Sequence, residues 1–143
     1  MTALVADASV CVKWFVTEEL SAEAVVLLDD RFVLHAPDLL LTEFANAIWR
    51  KVQAGTVPAE TARALVPALR LAPMTFHSGA ELTERALEIG LETGRTVYGC
   101  TYLALAEREG IRLVTCDDRF ASALAGTPWA QHVVRLRDLP SLE

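Results

Sequence analysis

Short apolar runs alternate with longer stretches of helical periodicity from one end of the chain to the other, and this alternation is what most limits the fold. The runs are Leu4–Ala6, "FVLHAP", "PMTFH", "IRLVTC" and "HVVRL". They are too short for helices and too continuously apolar for strands with one wet face. Strands of that kind are buried on both sides, the condition of a parallel sheet with helices over each face. Between them lie "SVCVKWFV", Ser21 to Asp30, "DLLLTEFANAIWRKVQAG", "VPAETARALVPALR", "SGAELTERALEIGLETG", "YGCTYLALAEREG" and "DDRFASALA", which read as helices. Asp38 and Gly55 read as the cap and the stop of the longest, and Pro67 as a kink or early end of its helix. The expectation is an α/β fold, a three-layer α/β/α sandwich around a mostly parallel sheet, formed by one domain over residues 1–143.

An open parallel sheet presents its ligands beyond the carboxyl ends of its strands. Asp7 ends the first run, and Asp117 and Asp118 lie just past "RLVT". Glu43 stands mid-helix in a nearly apolar stretch. It shares a stripe with Asn46 or Ala47 and with Arg50, while Leu40, Phe44 and Ile48 form a different, greasier side. Each acid also has an ordinary use. Asp7 and Asp117 are natural helix caps, and Glu43 can pair with a base. Carboxylates that converge repel one another and persist together mainly when a cation neutralises them. An all-oxygen set favours Mg²⁺ or Mn²⁺ over zinc. The residues alone therefore point to metal-assisted phosphodiester hydrolysis.

The net charge of −6 is not that of a general nucleic-acid binder, although a nuclease active site concentrates acids whose bound cations offset part of the charge. Lys13, Arg50, Lys51, Arg95 and Arg119 are candidates for a basic rim. Cys11, Cys100 and Cys116 lack metal-ligand spacing and read as buried thiols. His35, His77 and His132 are isolated from one another in sequence and read as structural, so no zinc site is expected. Trp14, Phe15, Phe44 and Trp49 recur at helical spacing and read as core. No run approaches the roughly 18 apolar residues of a membrane span, and no secretory leader is evident, so a cytoplasmic protein with no membrane partner is expected.

The segments "VADASVCVKWF", "APDLLLTEFANAIW", "TVYGCTYLALAEREG" and "LVTCDDRF" resemble, in order and at normal spacing, the PIN-domain family, most closely its VapC-type toxins. The resemblance covers essentially the whole chain. It implies a Mg²⁺- or Mn²⁺-dependent ribonuclease acting on RNA. It further implies a homodimer and a small cognate VapB-like antitoxin, through which alone the chain meets DNA. Asp7 matches the first of four family acids, with Ser9 as its small hydroxyl partner. Glu43 matches the second. Asp117 matches the fourth, with Thr115 at the usual hydroxyl position. In the implied mechanism Asp7 and Glu43 ligate the main ion, Asp117 helps to hold it or a second one, and Ser9 and Thr115 orient carboxylates. Lys13 and Arg95 line the RNA path, and the early helices take the antitoxin.

The third acid belongs in a "Y-D-x-x-Y-L-A-L-A" segment, and here the letters are "YGCTYLALA". Gly94 stops one helix, Thr96 caps the next and Gly110 ends it, so Gly99 falls in a first turn. Glycine there costs roughly 0.5–1 kcal/mol relative to alanine. Either Gly99 replaces an aspartate by design, so that a toxic chain can be produced, or it is native. In the second case the chain is impaired or uses another acid, Asp118 being nearest. Two phosphate-transfer folds fit less well. A haloacid-dehalogenase-type phosphatase wants an Asp where Ser9 stands, and a response-regulator receiver wants a late lysine, whereas none follows Lys51. A non-catalytic module that acts through its antitoxin complex in transcriptional autoregulation is the alternative function.

Overall fold

Five strands form one sheet in the order β3-β2-β1-β4-β5, with every neighbouring pair parallel. They are β1 (Thr2–Ala6), β2 (Phe32–Pro37), β3 (Met74–His77), β4 (Arg112–Thr115) and β5 (Val133–Arg135). The structure, a computed structural model, describes residues 1–142, with side chains through Leu139; residue 143, the end of the expected domain, lies outside the described residues. The helices are α1 (Ala8–Cys11), α2 (Ser21–Val26), α3 (Leu39–Gln53), α4 (Ala59–Arg70), α5 (Thr83–Thr93), α6 (Val97–Glu109) and α7 (Asp118–Ala123).

The double burial read from the apolar runs is present at the sheet centre. Leu4, Val5 and Ala6 of β1 and Leu113 and Val114 of β4 are all buried. α6, with α5 beside it, lies across β1, β2 and β4, while α3 packs on β2 with α1 and α4 as neighbours. Right-handed crossovers put the first set of connections on one face and the later set on the other, which gives the three-layer α/β/α sandwich. Every residue from Cys100 to Ala106 is buried, so α6 is a core helix without a wet face. The chain order runs outward from β1 to β3 on one side and from β4 to β5 on the other. This reversal falls between β1 and β4, where a doubly wound sheet opens a crevice beyond its carboxyl ends.

Several local expectations change. "SVCVKWFV" is not one helix: α1 gives way to a 3-10 turn at Val12–Trp14. The helix expected from Ser21 to Asp30 ends at Val26. α4 runs through Pro67 to Arg70 rather than ending at it. Only Leu69 of α4 is buried, so water can satisfy the carbonyl left without a partner by the proline. Asp38 stands at the N-cap position of α3 but does not cap it; its Oδ1 accepts from Gly79 N–H at 3.0 Å, tying α3 to the loop after β3. Thr96 caps α6 as read, accepting from Gly99 N–H, and Gly94 and Gly110 end α5 and α6 in the left-handed conformation.

Of the aromatic residues, Phe44 is fully buried and meets Phe15 edge to face at 5.7 Å between ring centroids. Trp14 is half-buried, donating from Nε1 to the Ala24 carbonyl, whereas Trp49 is 58% exposed and is not core. Cys11 and Cys100 are buried, but Cys116 is only partly so. Among the described residues, no helix is long and apolar enough to cross a membrane.

Candidate active site

Asp7 is the residue at which β1 stops and α1 begins. Its extended backbone turns the side chain back over the new helix, where the carboxylate accepts from Val10 N–H at 3.3 Å. Ser9 Oγ donates to Asp7 Oδ1 at 2.5 Å, and Thr115 Oγ1 donates to Oδ2 at 2.5 Å. The same hydroxyl oxygens accept from the loop after β4: Ser9 Oγ from Cys116 N–H at 2.9 Å and Thr115 Oγ1 from Asp117 N–H at 3.0 Å. Two hydroxyls thus tie the end of β1 to the residues past β4, and both oxygens of Asp7 are fixed. Asp117 in turn caps α7, accepting from Phe120 N–H at 3.0 Å. The capping role and the site position coincide in both aspartates.

Burial pushes the Asp7 carboxyl up to about 6, against the hydrogen bonds from Ser9, Thr115 and Val10 that favour its charged form. The charge of Asp117 adds to the rise.

Asp7, Glu43 and Asp117, drawn from three distant segments, wall one cavity of about 400 Å³ together with Ser9, Arg50, Gly99, Tyr102 and Phe120. The stripe on α3 is as read, since Glu43, Ala47 and Arg50 all face the cavity while Leu40, Phe44 and Ile48 are buried. The three carboxylates do not gather within 4.8 Å of one another; among the described residues only His35, His77 and Glu109 do so. Asp7 is held by hydroxyls and Asp117 by its cap, while Glu43 faces them across the opening. Such a wall of hard oxygen donors suits a hard divalent cation, and Gly99 adds no donor to it.

Gly99 is closed over by the ring of Phe120. A β-carbon at this position would lie 2.7 Å from one ring carbon. Asp118 is absent from the cavity wall and pairs with Arg137 at 2.6 Å, so it adds no carboxylate beside Gly99. Tyr102, a residue not among the sequence candidates, lines the cavity, and its buried hydroxyl faces Glu43 without reaching regular hydrogen-bond geometry. Burial, and after it the charge of Glu43, drives the phenol well above its ordinary pKa. A tyrosine within the buried stretch of α6, three residues past Gly99, is the signal in the sequence.

The basic residues divide differently from the expectation. Arg50 lines the acid cavity and the cleft adjoining it, whereas Arg95 lines neither. Lys13 and Lys51 line the adjoining cleft, and both are held by Glu18, at 3.1 and 2.8 Å. Partial burial pushes Glu18 upward, but the bonds from Lys51 and Lys13 win and hold its carboxyl below the usual range. A larger cleft of about 710 Å³ lies between α7 and β5, but none of the acids that the strand ends present reaches it. Two of the three histidines are not isolated: His35 Nδ1 and His77 Nε2 lie 2.9 Å apart, while His132 meets the Ile111 carbonyl.

Residues 4–124 match the family model of the PIN domain. The chain is 34% identical over 120 residues to Ribonuclease VapC3 of Pyrobaculum aerophilum, an alignment that spans 82% of this chain and 92% of that protein. The fold superposes on the crystal structure of PAE2754 from Pyrobaculum aerophilum with a TM-score of 0.69 at 23% identity, covering 99% of this chain and 88% of that one. It also superposes on a chain of a toxin–antitoxin complex from Klebsiella pneumoniae with a TM-score of 0.60 at 14% identity, covering 93% and 97%.

Proposed function

The chain belongs to the PIN-domain family, and on that premise we propose that it is a VapC-type ribonuclease toxin that hydrolyses RNA phosphodiesters with a divalent ion, Mg²⁺ or Mn²⁺. The observation that carries this reading is the convergence of Asp7, Glu43 and Asp117 on one cavity at the crevice where the sheet reverses. The donor set fits such an ion: all the facing ligands are carboxylate oxygens, and burial leaves Asp7 short of compensating positive charge. When bound, the ion supplies a more acidic water and charge stabilisation for a phosphate in displacement.

The chain's own residues do the rest. Asp7, Glu43 and Asp117 would hold the ion, drawing in from the separations they have across the cavity. Ser9 and Thr115 keep the Asp7 carboxylate in one orientation, so no rotamer freedom is lost when a ligand arrives. Arg50, at the junction of the cavity and the adjoining cleft, attracts a phosphate to the acids. Lys13 and Lys51 extend that attraction along the cleft. A small VapB-like antitoxin is the partner. It covers the exposed apolar residues of the early helices, Val25 and Val26 on α2 and Trp49 on α3, and brings the chain to DNA only indirectly. A homodimer accounts for further exposed apolar surface such as Leu87 and Leu91 on α5.

Gly99 leaves the donor set one carboxylate short of the family pattern, so this chain is a weak catalyst. The Phe120 ring over Gly99 favours a second reading, in which the chain serves as a binding module acting through its antitoxin in transcriptional autoregulation. One experiment separates the two. Purified chain is incubated with RNA and Mn²⁺, with and without chelator, beside Asp7→Asn. Slow cleavage that needs the ion and is lost in Asp7→Asn supports the enzyme. Cleavage that survives either treatment defeats the assigned site, and no cleavage with intact antitoxin binding favours the module.

A further inference from the structure

His35 on β2 and His77 on β3 leave the same face of the sheet. In the parallel register His35 pairs with Thr75 and Pro37 with His77, so the two histidines are two positions apart on neighbouring strands. Their rings lie 5.1 Å apart at 33°, with His35 Nδ1 and His77 Nε2 at 2.9 Å. Glu109, from the last turn of α6, brings a carboxylate oxygen to the same point, and the three ligand atoms all lie within 4.8 Å of one another. None of the three lines the acid cavity. Ten residues of α6 separate Gly99 from Glu109, on the order of 15 Å along the helix axis.

We infer that His35 Nδ1, His77 Nε2 and the Glu109 carboxylate form a second metal site, selective for a borderline transition cation of the Zn²⁺ class. Two imidazoles and one carboxylate are a donor set that such ions prefer, and Mg²⁺ and Mn²⁺ do not. The three protein ligands leave a fourth, solvent-facing position. Bonds of about 2.0–2.1 Å in a tetrahedral site put ligand atoms roughly 3.3 Å apart, so the imidazoles open by a few tenths of an ångström and the carboxylate closes in. His77, on the edge strand β3, and Glu109, at a helix end, can make that movement without disturbing the core.

Arg108 is the competitor. Its Nη2 lies 3.2 Å from His77 Nδ1, and its Nε pairs with Glu109 at 3.2 Å. Without a metal, Arg108 donates to His77 Nδ1 and His77 Nε2–H donates to His35 Nδ1, a consistent pair of neutral tautomers. Ligation through Nε2 moves the His77 proton to Nδ1, which then repels the guanidinium. Arg108 must turn away, toward Glu81, which it already meets at 3.7 Å. Removing Arg108 therefore frees two ligands at once.

The test is a titration of the metal-free full chain with Co²⁺, read by visible absorption. A tetrahedral nitrogen-containing site gives intense bands, and an all-oxygen octahedral site gives weak ones. One equivalent of intensely absorbing Co²⁺, displaced by Zn²⁺, is expected. The band is lost in His35→Ala and His77→Gln, weakened in Glu109→Gln, and kept in Asp7→Asn, which damages the acid cavity instead. Arg108→Gln, at an exposed position, tightens binding. Absence of the intense band from folded wild type overturns the site, as does a band that survives both histidine substitutions or disappears in Asp7→Asn. If a histidine variant fails to fold, Arg108→Gln decides: unchanged or weaker Co²⁺ affinity there also overturns it. The outcome is independent of whether the chain cleaves RNA.

Discussion

The edge of the Phe120 ring stands 2.7 Å from the point that a β-carbon on Gly99 would occupy. Real β-carbons do not come so close to another heavy atom, so any larger residue at this position displaces the ring. Phe120 is half-buried and is met at its far end, so it can swing toward solvent at modest cost. Gly99→Asp should therefore fold, place a fourth carboxylate on the cavity wall, bind Mn²⁺ more tightly and cleave RNA faster. Gly99→Ala is the control. It displaces the same ring and gains helix propensity, about 0.5–1 kcal/mol, but adds no donor. Calorimetric Mn²⁺ titration and single-turnover cleavage of the three proteins side by side decide the matter. Equal rates for the unsubstituted chain and Gly99→Asp defeat the assignment of this position.

Asp7 makes stability depend on pH with an unusual sign. Its carboxyl is raised from 3.8 to about 6 in the fold, so between those values the folded chain binds more protons than the unfolded one. The stabilisation is complete below about pH 4 and is lost as pH rises through 6, by roughly 3 kcal/mol in all for this one group. Asp7→Asn removes the charge and keeps an acceptor oxygen for one of Ser9 and Thr115, the other hydroxyl turning to accept from the new amide. It should be more stable than wild type at pH 7, lose this part of the pH dependence, and lose cleavage. Urea denaturation of both proteins from pH 4 to 8 measures it, and parallel curves would show that the charge is already compensated. Mn²⁺ at pH 7 should stabilise wild type but not the variant.

Much of this was legible because strand ends are legible. Asp7 and Asp117 follow apolar runs that can only be buried parallel strands, and such strands deliver their next residue to the crevice. Glu43 and Arg50 followed from the period of α3. What the sequence concealed depends on register and on competition between partners. His35 and His77 are 42 positions apart and meet only because β2 and β3 pair in one register. Asp118 neighbours Asp117 yet faces away, because Arg137 claims it. Arg50 rather than Arg95 faces the acids because the pitch of α3 carries it there. The break of "SVCVKWFV" after Cys11 has no sequence mark that we can name.

Tyr102 carries a buried hydroxyl whose contact with the Glu43 carboxylate falls short of regular hydrogen-bond geometry. A structural tyrosine in that state is a liability, and Tyr102→Phe should leave stability unchanged or raise it by up to about 1 kcal/mol. On the proposed function, the hydroxyl facing Glu43 in the acid cavity would donate to a phosphate oxygen or to a water bound beside Glu43. Tyr102→Phe should therefore slow RNA cleavage while thermal stability holds. A variant that loses stability in proportion to activity would make the hydroxyl structural.

Glu18 holds both lysines of the adjoining cleft, Lys13 at 3.1 Å and Lys51 at 2.8 Å, and offsets one of their two charges. Lys13 is only 11% exposed, so its ammonium is directed rather than freely solvated, and Glu18 at 30% sits within reach of water. Glu18→Gln releases both ammonium groups while keeping a side chain of the same shape. The cost to stability is small, at most about 1 kcal/mol, because partly exposed pairs are screened. If the cleft carries RNA, the freed lysines each neutralise a phosphate, and RNA binds more tightly at low salt. The slope of log affinity against log salt then steepens by roughly 0.7 for each phosphate gained on a single strand. Fluorescence anisotropy with a labelled single-stranded RNA across a salt series reads both quantities. A slope that does not change places the RNA path elsewhere on the molecule, and Lys13 and Lys51 then only anchor the loop that carries Glu18.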